Sequence, residues 1–112
     1  MKFLLMCTCS GADTDENAVW ANHWKVGEYD NLQDCYDNAI DDYKTTLEDS
    51  YENFDDEELA NELVEAGLNT FETYQKDDNE ICLYEPICIA DAEYSVNEYN
   101  TTLLNYIIVK VQ

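Results

Sequence analysis

The chain has 112 residues, enough for one domain, and its 46% hydrophobic content with nine Tyr, two Trp and three Phe excludes a disordered acidic tail. Five Lys plus Arg face 26 Asp plus Glu, a net charge of −21. That balance argues against free nucleic acid or an anionic membrane as ligand, because both are held by Lys and Arg.

In chain order, Met1 to Cys7 superficially looks like a lipoprotein signal. Its apolar core is shorter than an h-region of about 7–15 residues, and bulky Met6 stands where a small residue is expected before a lipidated Cys. Lys2 to Cys9 therefore reads as a first strand, with no polar face and hence covered on both sides. Ser10 to Asp15 reads as a turn. From Val19 to Tyr29, Trp20, Asn22, Trp24 and Val26 alternate with Ala21, His23 and Lys25, which predicts a second strand with an aromatic face, a short helix being the alternative.

Leu32, Tyr36, Ala39, Ile40, Tyr43 and Leu47 recur at spacings of three and four, the stripe of an amphipathic helix. Asp30 or Asn31 can cap it, with Gln33 or Asp34 completing a capping box. A second helix follows Phe54, with Asp55 as N-cap, Glu58 three residues later, and Leu59, Leu63, Val64, Leu68 and Phe71 as its buried stripe. Ile81–Tyr84 and Ile87–Ala90 read as strands split by Pro86, which implies an edge position or a bulge. Leu103 to Val111 is the strongest strand, rich in β-branched residues. The expected fold is α+β: one acidic domain over 1–112, with a small antiparallel sheet of three to four strands packed against two amphipathic helices. No apolar run approaches the about 20 residues of a membrane span. Five Cys cannot form a complete internal disulfide set, so the expected location is a reducing cytoplasm.

The acids are densest from Glu28 to Glu80, where only Lys44 and Lys76 oppose them. Asp34, Asp37, Asp41 and Glu48 fall on one stripe of the first helix, opposite the apolar one; Asp42 and Asp49 extend the cluster. Glu58, Glu62, Glu65 and Glu72 do the same on the second helix. Between them the linker adds Tyr51, Glu52, Asp55, Asp56 and Glu57. Like charges three and four apart destabilise a helix by a few tenths of a kcal/mol per pair, roughly. A chain needing only solubility would intersperse Lys there. Salt adaptation fits the remaining composition poorly, given five Cys and only three Gly.

In size, charge and carboxylate arrangement the chain resembles the small acidic DNA-mimic proteins of phages and mobile elements, such as anti-restriction and anti-CRISPR inhibitors. Such proteins differ in fold, so the resemblance implies a mechanism: occupying the basic nucleic-acid channel of a CRISPR effector, restriction enzyme or similar host protein, in the host cell cytoplasm. Lys and Arg there would pair with Asp and Glu as with phosphate. Tyr51, set among the acids, is the expected aromatic anchor. A homodimer would lengthen the acidic surface. The rival reading is an immunity protein or antitoxin that neutralises a basic nuclease. An acidic chaperone for a basic protein is a third, and a cysteine-dependent enzyme ranks last.

No cofactor, metal or catalytic residue is expected. Cys7 and Cys9, with Cys82 and Cys88, could meet across adjacent strands, but their spacing is not a standard zinc pattern. His23 is the only histidine and nothing marks a catalytic partner for it. Asp13–Glu16 begins like a calcium loop but lacks its Gly and final Glu.

Overall fold

The computed structural model describes residues 2–50, 61–62, 65, 77–95 and 98–112. Its frame is a four-stranded antiparallel sheet made of β1 (Lys2–Asp13), β2 (Ala18–Tyr29), β3 (Ile87–Tyr94) and β4 (Asn100–Val111). The strand order is β2-β1-β4-β3, so the two strands with the most apolar runs, β1 and β4, are central. One helix, α1 (Leu32–Ser50), is present among the described residues and packs across β2 and β1. The α+β expectation and the antiparallel sheet hold. The expected second helix, with its stripe from Leu59 to Phe71, lies outside the described residues; Asn61, Glu62 and Glu65 alone are described there, with helical backbone and exposed side chains.

The alternation of a strand explains where the core sits. Phe3, Leu5 and Cys7 of β1 are fully buried, as are Leu104 and Ile108 of β4, with Tyr106 nearly so. Their neighbours Leu4, Met6, Ile107 and Val109 point to the opposite face and are half-buried. The expected cover on both faces of β1 is seen, among the described residues, on the α1 side only; the residues of its other face are half-buried.

Two expectations change. Ser10–Asp13 is strand, not turn, because both neighbours continue to pair with it: Ser10 opposes Ala21 on β2 and Leu103 on β4. Gly11 permits this, since a Cβ there would press into the Trp20 indole and lie 2.7 Å from the Thr101 carbonyl oxygen. The turn is Thr14–Asn17. Asp13 Oδ1 accepts from the Asp15 and Glu16 amides at 2.9 and 3.1 Å, and Asn17 takes φ 54°, a conformation Asn tolerates. The calcium-like beginning of this stretch is thus the tip of a hairpin.

Ile81–Tyr84 is not a strand. It follows a single 3-10 turn, Asp78–Glu80, and touches the sheet at one parallel bridge, Leu83 with Lys110. Tyr84 stops the pairing with φ 61°, and Pro86 offers no amide to resume it. β3 then begins as an edge strand with a bulge between Cys88 and Ala90, as Pro86 implied.

α1 follows its sequence pattern. Leu32, Cys35, Tyr36, Ala39, Tyr43 and Leu47 are buried against the sheet. Asn31 is the cap: its Oδ1 accepts from the Asp34 amide at 2.9 Å and its Nδ2 donates to Asp34 Oδ2 at 3.1 Å. The radius of gyration is 14.9 Å, above the roughly 13 Å of a rounder domain of this length, and the extents are 45 × 27 × 19 Å. A single sheet with a helical layer makes a slab.

Candidate functional site

The outward face of α1 carries Asp34, Asp37 and Asp41, all exposed, with exposed Asp49 a little over two turns beyond the last of them, in the final turn. Successive carboxylates are about 5 Å apart along the axis. Asp37 Oδ1 accepts from Gln33 Nε2 at 2.9 Å, and Asp34 accepts from Asn31. Both donors are neutral amides that orient the carboxylates and leave their charge intact. None of the four acids has an ion-pair partner among the described residues. The ion pairs instead sit on the sheet, where Glu28 meets Lys25 at 2.6 Å and Lys2 at 4.0 Å. The Lys25 hydrogen bond and charge hold the Glu28 carboxyl below its ordinary range.

Glu62 and Glu65 are exposed as well. Glu48 lies on α1, but its side chain is outside the described set. Tyr51, Glu52, Asp55, Asp56, Glu57, Glu58 and Glu72 also lie outside the described residues.

Asp42 does not belong to this surface, and its assignment there is corrected. It lies at the edge of the apolar stripe, three residues from Ala39 and four from Thr46, and its half-buried carboxylate turns toward the sheet. Trp24 Nε1 donates to it at 3.1 Å and Tyr106 Oη at 2.8 Å. One helix residue thus ties α1 to β2 and β4. The stripe-edge position was legible in the sequence; the two donors on distant strands were not.

Burial raises the Tyr106 hydroxyl well above the ordinary tyrosine value, with Cys7 and Asp42 adding to it. Burial also pushes the Cys7 thiol up to about 12, against a lowering hydrogen bond from Tyr106. Cys35 is raised to about 12 by burial and by the Asp34 charge. Such thiols stay protonated at neutral pH and are poor nucleophiles. In the native protein at pH 7.5, a maleimide or disulfide reagent should modify exposed Cys82 first, with Cys7 and Cys35 reacting at least about a thousand-fold more slowly. Peptide mapping after timed labelling checks the order.

The cysteines do not converge. Cys7 and Cys9 face α1, whereas Cys88 opposes Ile107 on the other face of the sheet. His23 sits on that other face too, opposite Thr8, so it does not meet Cys7. Among the described residues no cluster of three or more His, Cys, Asp or Glu is arranged to hold a metal ion. Among the same residues no helix is long and apolar enough to cross a membrane.

Comparison with known protein families, with curated proteins and with solved structures gave no match.

Proposed function

We infer that the protein acts as a nucleic-acid mimic, presenting the outward carboxylates of α1 to the basic channel of a DNA- or RNA-binding protein such as a host defence nuclease. The observation that supports this is the row Asp34, Asp37 and Asp41 on a capped helix, none of them ion-paired among the described residues, with Lys44 the one basic residue of α1. A protein at −21 tolerates self-repulsion that a few lysines on this face would relieve. The row is also held in advance. Asn31 fixes the first turn of α1, and Asp42 bonds its middle to two strands. Charges on a rigid helix lose little side-chain and backbone freedom on binding, so more of their attraction appears as affinity. Paired against Lys and Arg, they would also speed association in low salt.

The test is capture from a host lysate at low and high salt, followed by competition with DNA and RNA for the captured protein. A nucleic-acid-binding enzyme should be retained at low salt and released as salt rises. Asp34→Lys, Asp37→Lys and Asp41→Lys together should weaken binding at least about 10-fold. Glu62→Lys with Glu65→Lys examines the second acidic stripe separately. Salt-insensitive capture that survives both sets of reversals would overturn the reading.

A further inference from the structure

The face of the sheet turned away from α1 has the wrong chemistry for a surface that meets only water. Antiparallel sheets covered on one side ordinarily carry polar residues on the other. Here the central strands present Leu4 and Met6 from β1 with Ile107 and Val109 from β4, in register across the pair. Leu103 on the same face is 43% exposed. A shallow apolar depression opens where the β1–β2 register shifts at Leu5/Met6, leaving Val26 of β2 as the extra residue, between Leu4, Met6, Lys25 and Val109.

The charge is equally unusual. Although 26 of the 112 residues are Asp or Glu, the outward residues of β1 and β4 include none. Acids appear on this face only at its two edge strands. At the β2 edge, Lys25 of β2 and Lys2 from the start of β1 flank Glu28 and leave one positive charge in excess, with His23 beside them. On β3, Asp91 and Glu93 point outward and are exposed.

We propose that this face is the interface of a symmetric homodimer. The charge pattern selects the symmetry. A two-fold axis parallel to the strands lays β2 of one copy over β3 of the other. His23, Thr8, Asn105 and Asp91 form one cross-strand row, so each copy's His23 comes over the second copy's Asp91. Lys25 lies one row away, opposite the start of β3. The contact is thereby self-complementary, as a two-fold interface must be. An axis across the strands would instead put Asp91 and Glu93 over their own copies. Two chains of −21 can approach closely only through a surface with few acids, and among the described elements this is that surface.

The area suffices. Four strands at a spacing of about 4.8 Å and a length of roughly 40 Å present about 700 Å² per copy. The total of about 1,400 Å² lies within the range of stable specific interfaces. Sheets stacked face to face sit about 10 Å apart with strands within about 30° of each other. Each α1 is then on an outer surface of the assembly, pointing away from the contact. The inference is independent of the function proposed above.

Sedimentation equilibrium on the full chain, at about 100 μM in physiological salt, should give twice the chain mass of 13.0 kDa. Met6→Glu and Ile107→Glu should each weaken association at least about 100-fold, since each buries an unpaired charge. Far-ultraviolet circular dichroism confirms that these variants fold. Should either fail to fold, Leu103→Lys at the exposed margin replaces it, with at least about a 10-fold expected loss. His23→Asp should weaken the dimer, and adding Asp91→Lys should restore it. A wild-type chain that sediments at 13.0 kDa overturns the proposal. So does a dimer indifferent to Met6→Glu and Ile107→Glu, which would indicate pairing through a sheet edge. Failure of Asp91→Lys to rescue His23→Asp overturns the proposed symmetry.

Discussion

Replacing Asp42 by alanine should lower the stability of the fold by about 2–4 kcal/mol, while the same change at the adjacent Asp41 should alter it by no more than about 0.5 kcal/mol. The two acids are neighbours in sequence with opposite surroundings. Asp41 is exposed on the repulsive outward row, so losing its charge costs little. Asp42 accepts from Trp24 Nε1 and from Tyr106 Oη, and Tyr106 is only 1% exposed. Without the carboxylate, the Tyr106 hydroxyl keeps its desolvation and loses its acceptor, an outcome more costly than never having had the bond. Hydrogen bonds to charged acceptors contribute about 1.5–3 kcal/mol each, which sets the upper part of the range. Thermal melts should show a fall of roughly 10–15 °C for Asp42→Ala. Tyr106→Phe removes a donor and leaves the carboxylate its Trp24 partner, so it should cost less, about 1–2 kcal/mol. In the double variant the two losses should not add, because both delete the same bond. Equal melting temperatures for Asp41→Ala and Asp42→Ala would show that the inward bonds contribute nothing.

The second large effect is alkaline loss of stability. Cys7 and Cys35 are raised from the ordinary 9.0 to about 12. Tyr29 and Tyr106 are raised above the ordinary tyrosine value as well, mainly by burial. Above pH 9 the unfolded chain therefore releases protons that the folded chain retains. Stability is intact below pH 9 and falls as pH rises from 9 toward 12, by up to about 1.4 kcal/mol per pH unit for each raised group. From the two thiols alone, urea titrations at pH 8 and pH 10 should differ by about 2–3 kcal/mol. Cys7→Ala with Cys35→Ala lowers stability at both values, yet it should flatten the dependence between them. A stability unchanged from pH 8 to pH 10 would mean that these thiols ionise as freely in the fold as outside it.

Much of this fold can be read from residue order, because its periodic segments are strong. The stripe from Leu32 to Leu47 defined α1, and the β-branched run at Ile107–Val109 defined β4. The misreadings share a physical cause: local composition was overridden by distant partners. Ser10–Asp13 looks like a turn, but β2 and β4 flank it and accept its backbone. Ile81–Tyr84 is apolar enough for a strand, yet Tyr84 and Pro86 leave it a single bridge. In the candidate site, helical spacing placed Asp34, Asp37 and Asp41 on an outward row, where they are exposed. It also set Asp42 at the edge of the apolar stripe, but not its inward bonds, since the donors lie 18 and 64 residues away. That β4 holds no acid and β1 only Asp13 can be read in the sequence; that the two strands lie side by side and make one face comes from the register.

That register also has a consequence for how the protein is made. β1 and β4 are central neighbours, yet Lys2 pairs with Val111 and Asp13 with Asn100. On a ribosome the β1–β2 hairpin can close as soon as its turn emerges, with α1 following. β1 must then wait, one edge unpaired, until β4 has been synthesised some ninety residues later, at about 5–20 residues per second. Through those several seconds Phe3, Leu5 and Cys7 lack their full cover. Pairings so distant in sequence also close slowly even in the finished chain. The nascent protein is thus at its most vulnerable to misassociation just before synthesis of β4, and a mutation that weakens the β1–β2 hairpin should reduce soluble yield more than it reduces the stability of the protein already folded.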